Sequence, residues 1–122
     1  NIHERILAFS FEVFTHTEKH RELFRALSAD GTAVVIKRAW HKILLDLVRE
    51  DVKAVFPKEE YSSVPTEALV HIITGSFFGL LMWWLEGSTT VSAREITSMF
   101  RKLMIPVVTN AARTSDRTLK IR

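Results

Sequence analysis

Residues 68–85, ALVHIITGSFFGLLMWWL, contain no Asp, Glu, Lys or Arg. As a helix this run spans about 27 Å, just enough to cross a bilayer. Gly75 and Gly79 form G-x-x-x-G, and Trp83 and Trp84 could serve as an interfacial belt. However, His71, Thr74 and Ser76 are polar in the middle of the run. Glu67 and Glu86 flank it, where basic residues are more typical. A helix apolar all round is also what the centre of a soluble bundle requires. The run therefore reads as a central helix with its own subunit on one side and a second subunit on the other. Gly75 and Gly79 either let another helix approach closely or serve tight packing alone.

Helical periodicity runs through the rest of the chain. Ile2, Ile6, Phe9 and Val13 form one stripe, which predicts a helix ending near Thr15. Thr17 is placed to cap a short second helix, Glu18 to Leu27, with Leu23, Phe24 and Leu27 on its apolar side. Ala33 to Phe56 predicts a long third helix, stopped by Pro57. Its stripe is Ile36, Trp40, Ile43, Leu44, Leu47 and Val55. Pro65 suits the first turn of a fourth helix, which ends at Glu86 with Gly87 as its cap. Ser92 and Glu95 form a capping box for a fifth, with Val91 and Ile96 as a hydrophobic staple. Pro106 is expected to weaken or end that helix. Only four Gly and three Pro in 122 residues disfavour a turn-rich β sandwich. The expected fold is a single all-α domain of about five helices over residues 1–109.

The net charge is +3, which invites a nucleic-acid reading. Residues 110–122 hold Arg113, Arg117, Lys120 and Arg122 against Asp116. They carry the whole excess, so the body is neutral and lacks a phosphate footprint. This segment reads as a basic, flexible tail. Zero cysteine rules out disulfides and thiolate metal sites and fits a reducing cytosol. The first residue is Asn1 and no signal peptide is visible, so a cytoplasmic fragment or processed product is expected.

No constellation calls for catalysis. Nucleophile elbow, phosphate loop and dinucleotide fingerprint are all missing. Glu59 and Glu60 read as solvated loop residues. His16 and His20 are four apart, but a cap at Thr17 would break their geometry, so no metal site is expected. Residues 18–43 mimic a helix-turn-helix, yet the third helix is too long and too apolar for that role. No cofactor is implied.

The stretch Ile73 to Met104 resembles the last two helices of TetR-family transcriptional regulators. The resemblance rests on Trp83-Trp84-Leu85-Glu86 and the Ser92-Ala93-Arg94-Glu95 cap. Upstream, His20-Arg21-Glu22-Leu23-Phe24-Arg25-Ala26-Leu27 is similar to the family's N-R-x-L-Y-R-A-L segment. The likeness covers about residues 1–108 in helix order. It implies a helical domain that binds a small effector and forms a homodimer, the last two helices building a four-helix bundle. It also implies an N-terminal helix-turn-helix domain. Nothing in this chain matches one, so DNA would be reached only through that missing headpiece.

On that resemblance, Phe9, Val13, Trp40, Leu44 and Phe78 are expected to line a pocket for a small apolar or aromatic effector. His41 and His71 would orient it. Phe77, Leu81, Phe100 and Met104 are expected at the dimer interface. The alternative is a helical protein-interaction or scaffold domain that pairs through the same helices and binds no small molecule. A small helical enzyme is the third and weakest reading.

Overall fold

The computed structural model describes residues 2–113, apart from 30, 32 and 88. Ile2–Leu7 form tight 3-10 turns. They lead into α1 (Phe9–Lys19), α2 (Arg21–Ala29) and α3 (Ala33–Val55). After a short 3-10 turn at Glu59–Tyr61 come α4 (Thr66–Glu86) and α5 (Ala93–Ala111). The described residues contain no strand, only an isolated bridge between Ser62 and Ala112. The fold is all-α, as the periodicity predicts.

The first expected helix is divided. Ala8 offers no side-chain cap to α1, and the Ser10 hydroxyl donates to the Leu7 carbonyl at 2.6 Å across the join. Thr17 does not start the second helix. It lies inside α1, buried, donating its hydroxyl to the Val13 carbonyl at 2.8 Å. The break comes at His20 instead, whose N–H closes α1 on the His16 and Thr17 carbonyls. Helix α2 therefore starts three residues later than expected, and Leu23 is left exposed.

Helix α4 meets the length and composition of a membrane span. Leu69, Val70, Ile73, Thr74, Phe77, Leu81, Trp84 and Leu85 of this helix are buried in the interior. Phe9 meets Phe77 edge-on at 4.8 Å, and Phe77 meets Phe100 at 5.2 Å. Phe14 packs on both Phe77 and Trp84. Each such side chain contributes about 1.5–3 kcal/mol by leaving water. The Trp84 indole N–H, also buried, donates to the Val91 carbonyl at 2.8 Å. On the far side, Leu44, Val48 and Val52 of α3 complete the core.

The capping box at Ser92 forms as expected, with Glu95 reciprocating. Ile96 is buried and Val91 packs against the core, where the staple would put them. Gly87 does follow α4, but its backbone is extended, with φ −81°, so no left-handed cap is used. Pro106 neither ends nor breaks α5, which continues to Ala111. Pro106 lies on the exposed side of the helix, where water can satisfy the carbonyl that its missing N–H leaves free.

Residues 110–113 are not loose. Ser63 N–H donates to the Ala111 carbonyl, and Arg113 N–H to the Tyr61 carbonyl. The remainder of the expected tail, residues 114–122, lies outside the described residues. Glu59 is not a merely solvated loop residue either. Its carboxylate accepts from the Thr66 N–H at 2.7 Å and from the Thr66 hydroxyl, capping α4. These two donors hold its carboxyl below the usual carboxylate range.

Candidate functional site

A cavity of about 190 Å³ opens between α1, α2, α3 and α4. Helix α1 gives it Val13, His16 and Thr17, and α2 gives it Phe24. Trp40, Ile43, Leu44 and Leu47 come from α3, Leu81 and Leu85 from α4. Trp40 and Phe24 meet edge-on at 5.2 Å and form one aromatic corner. His16 faces Phe24 edge-on at 5.9 Å. No Asp, Glu, Lys or Arg lines the cavity. Thr17 has spent its hydroxyl on Val13, so the polar groups left in the lining are the His16 imidazole and the Trp40 indole N–H. Larger depressions, of about 260, 430 and 460 Å³, are bordered by charged side chains such as Asp51, Arg25, Glu86 and Arg101.

Of the expected pocket residues, Val13, Trp40 and Leu44 do meet here. Phe9 does not. It sits in the aromatic core between Phe77 and Phe100. His41 and Phe78 pack on each other edge-on at 5.3 Å, away from the cavity. His71 is exposed on α4, 3.3 Å from Glu67. Sequence reasoning missed His16, Thr17, Phe24, Ile43, Leu47 and Leu85 here, and placed Leu81 at the dimer interface instead. Ile43 and Leu47 share the α3 stripe with Trp40 and Leu44, so that periodicity already carried the signal.

The residues expected at a dimer interface all turn inward. Phe77 is fully buried, and Leu81, Phe100 and Met104 nearly so, within the single subunit. Leu81 lines the cavity. The physical reason is that α4 has two apolar sides, and its large aromatics fill the subunit's own core. Besides Glu67, Ala68, His71 and Glu86, α4 shows solvent Ile72, Gly75, Ser76, Gly79 and Trp83, one stripe at helical spacing. Helix α5 adds exposed Met99 and Leu103. Nothing lies within 4 Å of a Cβ built at Gly75 or Gly79, so neither glycine is needed by packing inside the subunit.

Helix α2 joins the cavity to this pair of helices. Phe24 lies in the cavity wall, with Arg21 one turn before it and Arg25 directly after it. Arg21 Nη2 donates to the Trp84 carbonyl at 2.6 Å. Arg25 donates from Nε to the Leu85 carbonyl at 2.9 Å and from Nη2 to that of Gly87. These carbonyls end α4 and have no partner within the helix, and two cations suit the negative end of its dipole. Glu18 meanwhile accepts from the Ala93 N–H at 2.8 Å, at the start of α5. Lys37 of α3 pairs with Glu86 at 2.6 Å.

The family pattern for the C-terminal region of TetR-type transcriptional regulators matches residues 4–106. This chain belongs to that family. No curated protein and no solved structure matches it. The segment His20 to Leu27, on which the family resemblance partly rests, is the one that carries both arginines of the clamp. The Trp-Trp-Leu-Glu patch of this TetR-family domain is the other half of the same joint. Trp84 takes the stacked arginine, Leu85 lines the cavity, Glu86 takes Lys37, and Trp83 faces solvent.

Charged groups of the domain cluster away from the cavity. Arg49 bridges Asp46 and Glu67, and Lys42 also reaches Asp46 at 3.0 Å. The Arg49 guanidinium holds the Glu67 carboxyl low, with His71 adding to it. Among the described residues, no three His, Cys, Asp or Glu converge as metal ligands. His16 and His20 do lie on one turn, because α1 runs uninterrupted to Lys19, and their rings are 4.8 Å apart. Two imidazoles without a third ligand fall short of a structural metal site.

Proposed function

We propose that this chain is the effector-sensing and dimerisation domain of a TetR-like transcriptional regulator. A small apolar or aromatic molecule occupies the cavity between α1, α2, α3 and α4. A second copy covers the exposed stripes of α4 and α5, giving a four-helix bundle across a two-fold axis. An N-terminal helix-turn-helix domain of the full-length regulator then reads DNA, and the effector controls that binding. The domain works in the cytoplasm, with protein rather than lipid against α4, and performs no catalysis.

The observation that carries this reading is the double use of α4. Leu81 and Leu85 line the cavity, while Gly79 and Trp83 of the same turns are exposed. An effector that fits better with one placement of α4 than another shifts the balance between two arrangements of the dimer. Tight binding alone would not do this; the ligand must discriminate.

A second reading keeps the pairing and leaves out the ligand. It is favoured by the cavity's size, about 190 Å³, below the roughly 300–1,000 Å³ of most ligand pockets. Sedimentation velocity tests what both readings share. The unaltered chain should run as a dimer at micromolar concentration. Leu103→Glu should run as a folded monomer, because Leu103 is 71% exposed in the subunit and a charge there costs the monomer little. A wild-type monomer would sink both readings.

A further inference from the structure

We infer that the cavity selects a compact, uncharged aromatic bearing one hydrogen-bonding group, and that His16 is the residue that reads that group. The inference rests on the effector reading of the cavity and deepens it.

Size sets the first limit. Apolar cavities of about 150 Å³ take up benzene, so about 190 Å³ accommodates a substituted single ring. A long acyl chain or a multi-ring drug does not fit without displacing a wall. Shape sets the second. Trp40 and Phe24 present ring faces and edges at 5.2 Å, an arrangement that complements a flat π-system by edge-to-face contact.

Charge sets the third limit. A carboxylate or ammonium held among the apolar walls would shed water with no Asp, Glu, Lys or Arg in the lining to pair with it, which is costly. The two arginines of α2 that face α4, Arg21 and Arg25, are already committed to carbonyls at the end of that helix. A single neutral polar substituent is different. The His16 ring forms contacts with His20 and Phe24 but has no hydrogen bond among the described residues. An imidazole offers both a donor and an acceptor. Thr17 cannot substitute for it, because its hydroxyl is turned to Val13, and the Trp40 indole in the same lining offers a donor alone. A phenolic hydroxyl or a ring N–H meets these demands.

Isothermal titration calorimetry of the chain with three near-isosteric probes tests this. p-Cresol should bind about tenfold more tightly than p-xylene, the value of one hydrogen bond, and p-toluate should give no measurable heat of binding. His16→Ala should erase the preference for p-cresol while p-xylene binding stays, and His16→Gln should restore part of it. Position 16 is exposed, so these variants keep the fold. Equal affinity for p-cresol and p-xylene, binding of p-toluate, or an unchanged preference in His16→Ala would overturn the assignment and leave the effector cavity standing. No binding of any probe would overturn both the assignment and the effector reading.

Discussion

The Arg21 guanidinium lies 4.5 Å over the Trp84 ring, and the same side chain donates to the Trp84 carbonyl at 2.6 Å. One residue of α2 thus satisfies the end of α4 and covers the largest buried side chain of the core. Removing it uncovers the ring and orphans a carbonyl. Arg21→Ala should lower the unfolding free energy by about 2 kcal/mol in urea titration, combining a charged hydrogen bond with a cation–π contact. Arg21→Lys should recover less than half, since an ammonium cannot both stack flat and keep the fork geometry. A loss below about 0.5 kcal/mol, the range of ordinary surface substitutions, would mean that the clamp is not what holds α2 to α4.

Leu44 is nearly buried and lines the cavity. Leu44→Trp should place its indole in the free space and abolish p-cresol binding. The overpacking cost should stay within about 1–3 kcal/mol, with the helical circular dichroism intact. Persistent p-cresol binding in a folded Leu44→Trp chain would put the ligand elsewhere.

Asp51 stands where α3 meets the first turns, near Ile2, Arg5 and Ala8. Burial raises its carboxyl above the usual range; Glu50 adds to this and Arg5 opposes it. A raised carboxyl destabilises the fold once pH exceeds its folded pKa, and the penalty vanishes below its unfolded value of about 3.9. Asp51→Asn should therefore raise the Tm at neutral pH, and the gain should disappear as pH falls below 4. A gain that persists or grows in acid would contradict this origin.

The Thr74 hydroxyl is buried with no partner among the described residues. Thr74→Val keeps the shape and removes the unsatisfied group. It should stabilise the chain by about 1 kcal/mol, read from denaturant midpoints. Destabilisation would show that the hydroxyl is hydrogen-bonded in solution.

Much of this was legible in the sequence. The spacing of apolar residues gave the long helices, because α3, α4 and α5 each carry enough periods to outweigh local ambiguity. Ser92 and Glu95 marked the start of α5, since a capping box is a local device that tertiary packing does not override. What failed depended on tertiary choice. Thr17 had two uses for its hydroxyl, and closing on Val13 within α1 won over capping α2. Phe77 and Phe100 were apolar enough for either a dimer seam or a core, and only the neighbours Phe9 and Phe14 decided between them. The cavity needed Phe24, whose helix is only nine residues long, and the apolar spacing of α2 does not tell Leu23, which faces water, from Phe24, which faces Trp40.

Gly79 gives the most direct test of the pairing on which the regulatory account depends. No atom of the subunit lies within 4 Å of a Cβ there, so an arginine fits the isolated domain. It should even favour α4 by about 0.7 kcal/mol through helix propensity, while filling the groove that a second copy must enter. Sedimentation velocity of Gly79→Arg beside the unaltered chain, with circular dichroism on both, decides the matter. The account predicts a wild-type dimer and a folded Gly79→Arg monomer. A Gly79→Arg chain that still sediments as a dimer would contradict it.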